Sequence, residues 1–169
     1  MNRACQLVIL LILFSSQVIQ AQSENFKAIF VYNFTKYIEW PRGSLSSEFV
    51  ITVLGDGRIV TELESIAKQH QVGAMKIVIK KAATANTISS TQILFVTKDR
   101  TNEIAQLIAV CESKHILLVT EKANSCAMGA AINFVSKNGN LSFEIHRGNI
   151  EKLGLKVNSM LLSLGTPVQ

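Results

Sequence analysis

Two short runs set most of what this chain can become. Residues 93–97 read ILFVT and residues 116–120 read ILLVT, with no polar alternation in either. A strand with one wet face alternates apolar and polar side chains, whereas a strand apolar throughout is covered on both faces, as in the parallel sheet of an α/β sandwich. The surrounding segments fit that frame. Residues 49–54 form a β-rich run, Gly55-Asp56-Gly57 a turn, and residues 58–70 carry Ile59, Leu63, Ile66 and Ala67 at helical spacing. Residues 75–80 alternate Met75, Ile77 and Ile79 with Lys76, Val78 and Lys80, which suits a strand near an edge, and residues 101–111 turn Ile104, Leu107 and Ile108 inward on a helix.

The last third changes character. Residues 130–136 and 141–145 are two strands around Lys137-Asn138-Gly139-Asn140, and Asn-Gly is a strong hairpin turn. Residues 147–153 read as a short helix closed by Gly154, and the apolar run 155–164 as a segment that docks back on the core. The expected fold is therefore α/β: a three-layer sandwich with a mixed, partly parallel sheet, doubly wound in the Rossmann or flavodoxin manner and closed at one edge by an antiparallel C-terminal hairpin.

Residues 25–41, NFKAIFVYNFTKYIEWP, hold most of the aromatic side chains and read as one helix stopped at Trp40-Pro41. At about 100° per residue, Phe26, Ile29, Phe30, Asn33, Tyr37 and Trp40 share a stripe, with Phe34 and Ile38 on its flank. The expectation is that this stripe faces the core, that Asn33 ties the helix to a neighbouring loop, and that Trp40 is the residue best placed to reach the surface as a partner or ligand contact.

Ahead of that helix, residues 1–21 have the build of a secretory signal peptide. Arg3 supplies the positive end, residues 7–14 are eight apolar residues in a row, and Ile19-Gln20-Ala21 offers a small-residue cleavage site. Eight residues are too few to span a bilayer, and Cys5 precedes the apolar run where a lipid-bearing cysteine would follow it. Removing these 21 residues from 169 leaves 148, enough for one domain over residues 22–169, exported to the periplasm, with no transmembrane segment after cleavage. The net charge of +5 is scattered rather than striped with aromatics, which speaks against nucleic acid as a partner. Export permits a disulfide, yet Cys111 falls near the start of strand 116–120 and Cys126 beyond its end. A disulfide needs Cα atoms within about 7 Å, so two free or intermolecular thiols are expected.

Chemistry is sparsely signalled. Gly55-x-Gly57 follows a strand and opens a helix, where a doubly wound fold binds phosphates, but the third glycine of that motif is missing, so a tight turn with Asp56 starting the helix is the simpler reading. Lys98, Arg100 and Glu121 also follow strands, so the three loops line one rim, the best sequence-level site for a small molecule. His70, His115 and His146 lack a partner at metal-ligand spacing and read as surface residues; no nucleophile elbow, cofactor motif or Cys-His pair is visible. These residues point away from an enzyme.

The two ends of the mature chain carry a resemblance. Lys27, Ala28, Phe30, Tyr32, Asn33, Phe34, Lys36, Tyr37, Trp40 and Pro41 match a helix pattern K-A-x-F-x-Y-N-F-x-K-[FY]-x-x-W-P. Gly139, Phe143, Glu144, Ile145, Gly154, Leu155, Lys156, Val157, Ser159, Leu161, Leu162 and Leu164 match a closing pattern of a glycine turn, F-E-I-N and G-L-K-[IV]-S-S-x-L-L-x-L-A. Both resemble the YfiR/HmsC-like family of small periplasmic proteins. The resemblance implies a regulator without catalysis or cofactor, one that binds the periplasmic domain of a membrane-bound diguanylate cyclase, or another inner-membrane sensor protein, and lowers cyclic di-GMP and biofilm formation. Three positions depart from the pattern: His146 for asparagine, Asn158 for serine and Gly165 for alanine. The disulfide of relatives is not carried over, because these cysteines form no obvious pair. A periplasmic small-molecule binding module feeding a sensor kinase or transporter shares the same fold and compartment, and an edge strand or the C-terminal run offers a route to a homodimer.

Overall fold

A computed structural model describes residues 22–41, 43, 47–137 and 139–169; the expected signal peptide lies outside the described residues. The two apolar runs become β5 (Ile93–Val96) and β6 (Leu117–Thr120), buried along their whole length at the middle of an eight-stranded sheet. The sheet order is β10 (Thr166–Pro167), β8 (Asn140–Ile145), β7 (Ile132–Lys137), β6, β5, β2 (Glu48–Leu54), β4 (Met75–Ala82), β3 (Gln71–Val72). From β4 to β7 the strands are parallel; β8 turns back antiparallel on β7, with Phe134 opposite Phe143, and β3 on β4. The hairpin is as expected, but the outermost strand beyond it is the two-residue β10, parallel to β8.

Two helical crossovers fix the layers. From β2 the chain moves through α2 (Arg58–Gln69) to β4, and from β5 through α3 (Ile104–Lys114) in the opposite direction to β6. Right-handed connections then place α2 and α3 on opposite faces of the sheet. The helix at 22–37, here α1, lies on the α2 side: Asn25 Nδ2 donates to Glu62 Oε2 at 3.2 Å, and Tyr32 stacks on His70 at 4.5 Å. The hydrogen bonds from Asn25 and Arg58 hold the Glu62 carboxyl below its ordinary value.

The helix does not present the expected face. Its buried side chains are Ala28, Val31, Phe34, Thr35 and Ile38, while Phe26 and Ile29 remain 46 % and 37 % exposed and Phe30, Asn33, Tyr37 and Trp40 are half-buried. The stripe is turned by well over a quarter of a revolution. Small and branched residues at 28, 31 and 35 let the helix backbone approach the sheet, and Phe34 fills the remaining space against Phe134 (6.0 Å) and Phe143 (5.3 Å). Reading the largest rings as the core overlooked that fit. Asn33 is also corrected: among the described residues it ties to no loop, but accepts from Lys36 Nζ at 3.2 Å one turn along its own helix.

The helix ends at residue 37, before the expected stop at 41, because its last turn finds another partner. Ile38 and Glu39 form β1 (Ile38–Glu39), antiparallel to β9 (Lys156–Val157), and Asn158 N–H donates to Tyr37 O at 2.9 Å, taking a carbonyl orphaned at the helix end. The apolar run 155–164 accordingly splits into β9 and a short helix α5 (Ser159–Leu164), with Leu155 and Leu161 buried but Met160 and Leu164 each 54 % exposed. No helix among the described residues is long and apolar enough to cross a membrane.

Candidate functional site

The loops after β2, β5 and β6 do share one rim, yet the structure divides it. Gly55 (φ 112°) sits at the point where the crossovers diverge, the usual ligand crevice of a doubly wound sheet. That crevice is filled. A Cβ at Gly55 would collide with Thr97 Oγ1 and lie 3.1 Å from Arg100 Cγ, and Thr97 Oγ1 donates to Leu54 O at 3.1 Å. Arg100 is itself tied down, through Nη2 to Ala83 O at 2.9 Å and Nε to Glu103 Oε1 at 2.6 Å. Gly57, with no side-chain cap, is the N-cap of α2. Asp56, expected to start that helix, instead pairs with Lys81 at the surface. The Thr97 and Arg100 side chains thus occupy the space beside Gly55.

The other half is open. Beyond the end of β6, a cleft of about 630 Å³ is lined by Lys98, Glu121, Lys122, Phe134, Lys137 and Glu144. A neighbouring hollow of about 330 Å³ shares Lys98, Glu121 and Phe134 and reaches Glu24 and Lys27 at the start of α1. Glu121 joins the parts: one carboxylate oxygen pairs with Lys27 Nζ at 2.5 Å and the other accepts the Lys98 N–H at 2.9 Å, while Lys27 also pairs with Glu24 at 2.6 Å. Burial works against the Lys27 charge, but hydrogen bonds to Glu121 and Glu24 outweigh it, so its pKa stands above 10.5. Sequence reasoning passed over Lys27 as a site residue. The available signal was its place one residue before Ala28, on the flank of the stripe that packs down.

A second polar chain reaches the same cleft from beneath. Thr120 Oγ1 donates to Asn133 Oδ1 at 2.9 Å, and Asn133 Nδ2 donates to Glu144 Oε2 at 3.0 Å, which satisfies a fully buried amide and aims Glu144. The two thiols take no part in ion pairs. Burial pushes both Cys111 and Cys126 up to about 12, helped by the nearby charges of Glu112 and Glu144 respectively, and both are free and buried. Such thiols stay protonated at neutral pH and are poor nucleophiles. Among the described residues no group of three or more His, Cys, Asp or Glu could hold a metal ion. Both carboxylates already have partners: Glu121 in Lys27 and the Lys98 N–H, and Glu144 in Asn133.

Trp40 belongs to neither half. Its ring meets Phe49 edge-on at 5.1 Å, at the wall of a separate cleft of about 580 Å³ beside Pro41, Met75 and Lys156. Its indole Nε1 is buried with no hydrogen-bond partner among the described residues.

The segments that give the sequence its resemblance, far apart in the chain, meet in space. Ile38 pairs with Val157 and Glu39 with Lys156, while Phe30 and Phe34 pack their rings on Phe143 at 5.4 and 5.3 Å. A family model described as YfiR/HmsC-like matches residues 24–166. The chain belongs to the YfiR/HmsC-like family. Among curated proteins no relative matches it. At family level this membership supports a periplasmic, non-catalytic regulator of a diguanylate cyclase. It also explains how the three departures are tolerated. His146 is the N-cap of α4 (Arg147–Lys152), its Nδ1 accepting from Asn149 N–H at 3.1 Å, as an asparagine side chain can. Asn158 caps α5 by accepting from Met160 N–H at 2.9 Å, a role serine fills equally well. Gly165 gives its space to the Phe143 ring, with which a Cβ would collide. The capping account predicts that His146→Asn keeps wild-type stability within about 0.5 kcal/mol and that His146→Ala loses about 1 kcal/mol, read by urea denaturation. Equal losses in both would remove the cap from the explanation. The histidines expected at the surface divide: His70 is exposed, whereas His146 and His115 are half-buried and structural. His115 closes α3 in a left-handed conformation (φ 55°), its Nδ1 lying 2.9 Å from Leu153 O.

Proposed function

We propose that the protein is exported by cleavage of residues 1–21 and that its mature domain, residues 22–169, binds the periplasmic domain of an inner-membrane diguanylate cyclase, holds it in a less active state, and so lowers cyclic di-GMP and biofilm formation. The observation that carries this reading is the family match over residues 24–166, with both end motifs joined through β1 and β9. No chemistry in the regulator is required. A partner shifts an equilibrium by its differential affinity for the two states, and a tenfold shift needs about 1.4 kcal/mol of difference. The open cleft at Lys98, Lys122 and Glu144 favours a second reading, a small-molecule binding module that feeds a sensor kinase or transporter.

The test is cellular cyclic di-GMP in the native host. Deleting the gene should raise it, restoring the full chain should lower it again, and a copy lacking residues 1–21 should fail to do so. No change on deletion would sink the cyclase reading and leave the binding module.

A further inference from the structure

Of the large hydrophobic side chains exposed among the described residues, Phe26, Ile29, Met160 and Leu164 fall on two helices, α1 and α5. Those helices are neighbours. The start of α5 is bonded to the last turn of α1, Asn158 N–H to Tyr37 O. Its end abuts the Phe143 ring at Gly165, and that ring packs on Phe30, two turns back along α1. Phe34, one turn back, touches the same ring at 5.3 Å, so the chain moves toward the start of α1 as it passes from Asn158 to Gly165, and α5 runs antiparallel beside α1. The four exposed side chains therefore share one outer surface. The exposed base on the α1 part of this surface is Lys36, two turns along from Ile29, its Nζ 3.2 Å from Asn33 Oδ1 and 4.4 Å from the centre of the Tyr32 ring.

We propose that this α1–α5 face is the surface on which the partner sensor domain docks, against an apolar patch of its own; the inference rests on the regulator reading above. Size and charge select that occupant. Four side chains about half exposed offer roughly 300 to 400 Å² of apolar surface, a patch large enough to mark an interaction site. A stable homodimer buries about 800 Å² on each partner, so the patch suits a contact that forms and releases. An anionic bilayer surface would select a polar face rich in lysine and arginine around the apolar centre, whereas α5 carries no base and, of the two lysines of α1, Lys27 is tied to Glu24 and Glu121.

In the native host deleted for the gene, exported wild type and the Gln106→Glu control on α3 should both restore low cyclic di-GMP. Ile29→Glu and Met160→Glu should leave it at the deletion level, as expected if each weakens binding at least tenfold, while matching wild type in periplasmic amount and melting temperature. Repression by both patch variants would overturn the inference and leave the regulator reading standing; a deletion without effect would overturn the reading itself. Two results with purified protein would also overturn it: a wild-type dimer dissolved by the glutamates assigns the face to a second copy, and flotation with phosphatidylglycerol-phosphatidylethanolamine vesicles lost in the variants assigns it to lipid.

Discussion

Replacing Phe34 with alanine lowers the unfolding free energy by about 3 to 5 kcal/mol, the cost of deleting a fully buried ring from a packed core. Phe34 is inaccessible to solvent and holds α1 to the sheet through Phe134 and Phe143. Phe26→Ala, about 80° away around the same helix, changes stability by no more than about 0.5 kcal/mol, because its ring is already half in water. Urea denaturation of the pair decides which face of α1 meets the sheet. A large loss at Phe26 with little at Phe34 would put the sheet against the stripe that the spacing of the largest rings suggested.

Lys27→Met has the next largest expected effect. The ammonium lies 2.6 Å from a Glu24 oxygen and 2.5 Å from a Glu121 oxygen, with all three side chains less than 15 % exposed. Without it, two carboxylates face each other across a gap that little water reaches. Removing one member of a buried ion pair costs about 3 to 5 kcal/mol; with a tenth of each group still wet, a loss of about 2 to 3 kcal/mol is expected at pH 7. The pH dependence has a definite sign. The folded-state pKa of Lys27 lies above its ordinary 10.5, so its stabilising contribution is complete below 10.5 and disappears as pH rises through the higher folded value. Wild type and variant should therefore converge in strong alkali. A gap that persists there unchanged would mean that Lys27 acts through packing of its methylenes rather than through its charge.

Much of the sheet was legible because its signals are local. Strands at 93–97 and 116–120 follow from unbroken apolar runs, the hairpin from Asn-Gly, and α2 from a clear helical period bounded by glycine. The candidate site was legible only in outline. Strand ends placed Gly55, Lys98, Arg100 and Glu121 on one rim, but local sequence carries no record of the Thr97 and Arg100 side chains that fill the Gly55 crevice, or of Lys27 reaching Glu121 across 94 residues of chain.

By itself the sequence determined the α/β class, the family through its two end motifs, and that Cys111 and Cys126 do not pair with each other. The tertiary structure decided which face of α1 is buried, where that helix stops, and which part of the rim stays open. The physical reason is common to all three. Helical period specifies that one side must be covered, but not which of two apolar sides; that choice falls to fit against the sheet, where Ala28 and Val31 allow an approach that Phe26 and Ile29 would block. The end of α1 is likewise set by a strand that arrives from residue 156, and no property of residues 22–41 alone could announce it.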